Sequence, residues 1–181
     1  ASETAKRCSS VLFVNALYAS GVGLRNTTYA FDKNGNIVGH YFKQHPTNGE
    51  VFKRGLDSEY SYEFSEPDCI EINGLRYCFL TCYDFYFYES FANIARRRPD
   101  IIIGCSHQRT DRQDALDMMC RFLAYNTNAY VVRASVSMGE DSVIGGGSMI
   151  VSADGKYVYG YAIAGDTGGA VRRGTVLVDL Y

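Results

Sequence analysis

Short apolar runs separated by turn-forming clusters carry most of the structural signal along this chain, and they predict a mixed α/β order. Residues 11–19 (V-L-F-V-N-A-L-Y-A) are almost continuously apolar, which reads as a strand buried on both faces. Residues 27–32 and 37–43 read as two further strands joined through Asn34-Gly35, a hairpin signal. Residues 44–66 carry Pro46, Asn48-Gly49 and many charges, and read as a long loop. Its aromatics Phe52, Tyr60, Tyr62 and Phe64 favour an ordered one. Residues 69–72 and 75–81 form a second hairpin through Asn73-Gly74.

The period then changes. Over 85–98, Phe87, Phe91, Ile94 and Ala95 recur at helical spacing, and Arg96-Arg97-Arg98 before Pro99 suits a helix end. Residues 101–104 read as a short strand buried on both faces. A second helix spans 111–126, capped by Thr110 or Asp111, with Leu116, Met119, Phe122 and Leu123 on its apolar face. Residues 129–134 are a strand, 147–152 and 157–164 a hairpin, and 175–180 a last strand. Hairpins flank a strand–helix–strand–helix–strand core at 75–134, so two mixed sheets with helices outside satisfy the burial pattern.

Composition narrows the class. A chain of 181 residues forms one domain, large enough to bury roughly 70% of its unfolded surface. Eighteen basic against 20 acidic residues give a net charge of −2, with no footprint for nucleic acid or an anionic membrane surface. No apolar run reaches the roughly 18–20 residues of a membrane span, and no signal-peptide pattern is visible. Six cysteines without a CxxC pair, and three scattered histidines, point to a reduced, cytoplasmic protein with no metal and no cofactor. The chain starts at Ala1 inside a helical run and stops at Tyr181 right after a strand-like one, so a truncated domain is expected.

Chemistry concentrates at the end of the apolar run 75–81. Cys82 follows that strand and precedes a helix, a position from which an α/β protein presents a nucleophile. The competing reading is an inert core thiol, since cysteine is among the most buried residue types. Lys43, at the end of its strand, reads equally as a solvated rim residue, and Glu50, in the long loop, as solvent-facing.

In combination these positions resemble the nitrilase (carbon–nitrogen hydrolase) superfamily. The likeness runs through Asn26-Thr27-Thr28, Phe31-Asp32-x-x-Gly35, Tyr41-x-Lys43-x-His45-Pro46-Thr47-x-x-Glu50, Thr81-Cys82-Tyr83-Asp84-x-x-Phe87-x-Glu89, Ala124-x-Asn126 and Gly146-Gly147-Ser148-Met149-Ile150, in order over nearly the whole chain. The resemblance implies an αββα sandwich and hydrolysis of an amide or N-carbamoyl C–N bond through a Glu–Lys–Cys triad and a thioester. Carried over residue by residue, Cys82 is the nucleophile, Lys43 the triad lysine and Glu50 the second, loop-borne glutamate; the N–H of Tyr83 completes the oxyanion site. His107 and Gln108 fall where the family lines its pocket. The implied partners are a small amide or carbamoyl substrate and water, in a homo-oligomer. No residue in 1–42 matches the family's first glutamate, its general base, so the N-terminal part of the domain is expected to be missing. Tyr86-Phe87-Tyr88-Glu89 stands where the family often has Arg-Phe-Pro-Glu, which leaves the substrate open. The alternatives are a catalytically defective homologue or fragment acting as a binding or structural protein, and a thioester-based acyltransferase.

Overall fold

The computed structural model describes residues 1–20, 23–57, 69–136 and 142–160. Helix α1 (Ser2–Cys8) leads into three antiparallel strands, β1 (Leu12–Ser20), β2 (Gly23–Phe31) and β3 (Ile37–Phe42). Helix α2 (Asn48–Arg54) follows. Then come β4 (Ile70–Ile72) and β5 (Leu75–Thr81), a 3₁₀ turn (Cys82–Tyr86), and α3 (Tyr88–Arg97). The remaining elements are β6 (Ile101–Ser106), α4 (Gln113–Thr127), β7 (Tyr130–Ser135), β8 (Met149–Val151) and β9 (Tyr157–Gly160). Strands β4 to β9 form one mixed sheet in chain order, its centre β5–β6–β7 parallel and its flanks antiparallel. The three-stranded sheet is antiparallel throughout, as its hairpin connections require.

Strand alternation divides the core into two layers. From β5 and β6, Cys78, Leu80 and Ile102 face α3 and α4, where they cluster with Phe91, Ile94 and Leu123 and with Val131 of the neighbouring β7. Tyr77, Phe79, Ile101 and Ile103 face the other way, onto Ala30, Tyr41 and Phe13 of the small sheet. The result is helices, six-stranded sheet, three-stranded sheet: the mixed α/β, two-sheet architecture that the hydrophobic pattern predicts.

Several local expectations are corrected. Residues 11–19 are not buried on both faces: β1 is an edge strand, and Leu17 and Tyr18 remain 44% and 46% exposed. An apolar run specifies a strand but not a covering layer; of these residues Val11 and Phe13 pack, partly buried, against the core between the sheets, Phe13 through its contacts with Tyr77 and Phe79. Part of the loop expected at 44–66 is α2. Thr47 and Glu50 form a reciprocal capping box, and left-handed Gly55 closes the other end. Tyr60, Tyr62 and Phe64 lie outside the described residues, as do 161–164 and the strand expected at 175–180. The helix expected at 85–98 is interrupted at Phe87, whose extended backbone separates the 3₁₀ turn from α3. Neither Thr110 nor Asp111 caps α4. Its N-cap is Arg112, and the Gln113 N–H bonds instead to the Val143 carbonyl. Cys69 and Cys78 are joined as a disulfide, against the expectation of a fully reduced chain. The β4–β5 register brings their Cα atoms to 4.9 Å. No described helix is long and apolar enough to cross a membrane.

Candidate active site

Cys82 opens the 3₁₀ turn at the C-terminal end of β5 with φ +51°, a left-handed conformation unusual outside glycine. The brace that holds this turn is Asp84, which is fully buried. Its Oδ2 accepts from the Thr81 N–H at 2.9 Å and from the Tyr41 hydroxyl at 2.9 Å. Its Oδ1 accepts from the His45 N–H at 2.8 Å and lies 3.1 Å from His45 Nδ1. One carboxylate therefore ties the Cys82 turn to the stretch that leaves β3, and the imidazole of His45 stacks on Phe87 at 3.6 Å.

Lys43 lies between these anchors, immediately after β3, with its N–H on the Asn26 carbonyl at 2.9 Å. It is not a solvated rim residue: the side chain is completely buried and its Nζ is hydrogen-bonded to Glu50 Oε2. Glu50 is held from three sides. Oε2 also accepts from the Thr47 N–H at 2.8 Å, and Oε1 accepts from Asn26 Nδ2 at 2.8 Å. Asn26 is in turn fixed by Asn15 Nδ2 on β1, which also donates to Thr28 Oγ1. Burial works against the charged form of Glu50, but the Lys43 and Thr47 hydrogen bonds outweigh it and hold the carboxyl below its ordinary value.

Burial pushes the Cys82 thiol up from its ordinary pKa. The Lys43 ammonium and a hydrogen bond from the His107 backbone N–H act in the opposite direction, while Glu50 and Asp111 add to the upward shift. The sulfur thus sits beside a buried cation and a fixed backbone donor, groups that favour a thiolate and a developing oxyanion. It opens on a cleft of about 860 Å³ lined by Phe13, Asn15, Leu17, Asn26, Lys43, Glu50, Lys53, Arg54, Cys105, Ser106, His107 and Ser135, among others.

Of the residues named from the sequence, Cys82, Lys43, Glu50 and His107 meet at this cleft. Tyr83 and Gln108 do not line it. The Tyr83 ring packs edge-on against Phe87 at 5.2 Å. Gln108 is buried, bonded to the Tyr86 hydroxyl at 3.2 Å and to Arg133 at 2.9 Å. In the sequence Asp84 and Asn26 are motif positions to which the resemblance assigns no role. The spacing Thr81-x-x-Asp84 is itself a capping-box signal that would have found Asp84. Among the described residues no cluster of three or more His, Cys, Asp or Glu is placed to hold a metal ion.

The family model for carbon-nitrogen hydrolases matches residues 1–167. The chain belongs to this family. Among solved structures it is similar in fold to the carbon-nitrogen hydrolase from Helicobacter pylori G27, with a TM-score of 0.69 and 18% identity, covering 88% of this chain and 60% of that one. It is also similar to the amidase from Nesterenkonia sp. AN1. A glutamate-to-glutamine mutant of that amidase, showing covalent addition of the acetamide moiety of fluoroacetamide at the active site cysteine, matches with a TM-score of 0.73 and 18% identity over 88% of this chain and 59% of that one. A second form in complex with butyramide gives 0.72 and 17%, over 88% and 60%. At such identity the likeness establishes the fold. This carbon-nitrogen hydrolase chain spans about 60% of the length of the structures it matches. No curated protein matches it at a significant level.

Proposed function

We propose that the chain carries the cysteine centre of an enzyme hydrolysing a non-peptide C–N bond in a small amide or N-carbamoyl compound. The observation that carries this reading is the meeting of a half-buried thiol with a fully buried, carboxylate-paired lysine at one cleft. Cys82 attacks the carbonyl or ureido carbon, and the tetrahedral oxyanion forms beside Lys43. The amine or ammonia leaves carrying the proton given up by the thiol, and water then hydrolyses the thioester, or the thiocarbamate where a ureido carbon was attacked. Lys43 and Glu50 line the cleft with the sulfur; each acceptor oxygen of Glu50 already has a donor, so its role is to hold Lys43 rather than to take the thiol proton. The adduct at the active-site cysteine of the Nesterenkonia amidase supports the placing of Cys82.

The test is a panel of amides and N-carbamoyl compounds scored for ammonia release, with mass analysis of the Cys82 peptide after a substrate pulse. An acyl mass on Cys82 that Cys82→Ala abolishes is the expected result. Labelling confined to Cys8 or Cys120 would sink the idea.

One observation favours a second reading, a homologue without turnover. Among the described residues Glu50 is the only carboxylate lining the cleft, and both its oxygens already accept from Lys43, Thr47 or Asn26. On that reading Cys82 still alkylates but no amide is turned over. Assembly into a homo-oligomer remains part of the proposal. It is supported by Met118, Phe122 and Tyr125, which follow one face of α4 at 52–73% exposure. Light scattering at micromolar protein should then give a multiple of the chain mass, and a monomer would exclude it.

A further inference from the structure

The glycine run at 145–147 and the buried guanidinium of Arg133 lie outside the chemistry described so far. Arg133, on β7, is 2% exposed, yet among the described residues no carboxylate pairs with it. Its Nη1 donates to the carbonyls of Gly146 and Gly147 at 2.6 and 2.5 Å, and its Nη2 to Gln108 Oε1 at 2.9 Å. A charge this deep is tolerated only where its surroundings are built for it, and here glycines supply the room. A Cβ on Gly104, the neighbouring position of β6, would lie 3.3 Å from Arg133 Cγ. One on Gly147 would lie 3.3 Å from Nη1. One on Gly145 would lie 2.8 Å from the backbone of Gln108 and Arg109. All three glycines of the run have φ between +61° and +73°.

These contacts fasten two segments together. The Gly145 and Gly146 N–H groups bond to the carbonyls of Asp111 and Gln108. Gln108 continues through its side chain to the Tyr86 hydroxyl, on the turn that Cys82 begins, and that hydroxyl is bonded to Asp111. Residue 107 is thereby fixed between β6 and this lattice, at the cleft that Cys82 also lines, and its N–H acts to lower the Cys82 thiol.

We propose that Arg133 is a positioning residue for the cysteine centre: by gathering Gly146, Gly147 and Gln108 it holds the His107 N–H on Cys82 and keeps a second buried cation close by. The proposal rests on the reading of Cys82 as the reacting thiol. The charges that act on Cys82 are those of Lys43, just after β3, Glu50 on α2 and Asp111 ahead of α4, while Cys82 and Tyr86 act in turn on Arg133 of β7. Of these the two cations favour the thiolate, so removing one cation together with the N–H donor moves the thiol in one direction only, upward.

Iodoacetamide alkylation of Cys82, followed on its peptide by mass spectrometry across pH, reads the thiolate without needing a substrate. Arg133→Met should slow alkylation near neutral pH by about tenfold or more and move the profile to higher pH, the equivalent of about one pKa unit. Arg133→Lys should fall between that variant and the parent. Gln108→Leu, which leaves the guanidinium on the glycine carbonyls, should shift the profile the same way by a smaller factor. A folded Arg133→Met with the parent profile overturns the proposal. Where that variant does not fold, Gln108→Leu decides, and a parent-like profile from it overturns the proposal as well. Amide turnover by the same proteins separates the two claims. Arg133-dependent alkylation without turnover keeps this inference and removes the hydrolase reading; turnover with an Arg133-independent thiol does the reverse.

Discussion

Replacing Asp84 by asparagine tests whether one carboxylate holds the site together. In the parent, two oxygens accept from four groups: Thr81 N–H and Tyr41 hydroxyl on one, His45 N–H and Nδ1 on the other. Asparagine keeps one oxygen and puts an NH₂ where the second was. Whichever way the amide turns, at least one backbone N–H, of Thr81 or His45, then faces another donor. A buried donor left without an acceptor costs about 1–3 kcal/mol, and each surviving bond falls from charge-assisted to neutral strength, about 1 kcal/mol weaker. With two surviving bonds the total is about 3–5 kcal/mol, a large share of the roughly 5–15 kcal/mol that a domain has. For a chain of this length that corresponds to a melting point lower by about 6–20 °C. Activity should fall further than stability explains, because Asp84 also sets the position of Cys82 relative to Lys43, and a displacement of about 1 Å can cost about 100-fold. Urea unfolding followed by circular dichroism gives the first quantity, and Cys82 alkylation in the folded protein the second. A loss below about 1 kcal/mol together with parental alkylation would refute the assignment of Asp84 as the brace.

Three further outcomes follow from the same geometry. Glu50 has a depressed pKa, so its contribution to stability is present above its ordinary value of 4.5 and is lost as pH falls through the lower folded-state value. Comparing urea midpoints at neutral and acid pH, Glu50→Gln should lose less on acidification than the parent; an equal loss would remove Glu50 as the group responsible. Alkylating the denatured, unreduced protein should label four of its six cysteines, with Cys69 and Cys78 protected until reduction; six labels before reduction would exclude the pairing. Gly104→Ala should cost about 1–3 kcal/mol by overpacking, because its Cβ would lie 2.9 Å from Phe85 Cζ and 3.3 Å from Arg133 Cγ, and a neutral thermal shift would contradict that crowding.

The sequence was informative where one residue type implies one physical state. Ile101, Ile102 and Ile103 between a proline turn and a helix could only be a strand with both faces covered, and they are buried on both. Asn73-Gly74 fixed a hairpin because each residue there takes positive φ. It was ambiguous where an apolar residue names no partner, as along β1, where Leu17 and Phe13 share a strand but not an environment. Lys43 shows the same limit for charge. Its place at a strand end reads as solvent-facing until the chain is folded, since its partner is Glu50, seven residues on in α2, a helix that Pro46 and Asn48-Gly49 make look like a loop.

Arg133 marks the far end of that limit. A buried cation is usually sought through an acidic residue at matching spacing, and here the acceptors are two glycine carbonyls, one amide and, at 3.5 Å, the Ser135 hydroxyl. Backbone acceptors leave no trace in composition, so the only legible sign is the glycine run itself, which implies turns but not charge. The two features explain each other only when taken together. The left-handed glycines let the 145–147 backbone turn its carbonyls inward, and the guanidinium gives those carbonyls donors they would otherwise lack. Neither is a sensible choice without the other. On that argument, losing either partner should disturb the same atom, the His107 N–H, and through it the same thiol.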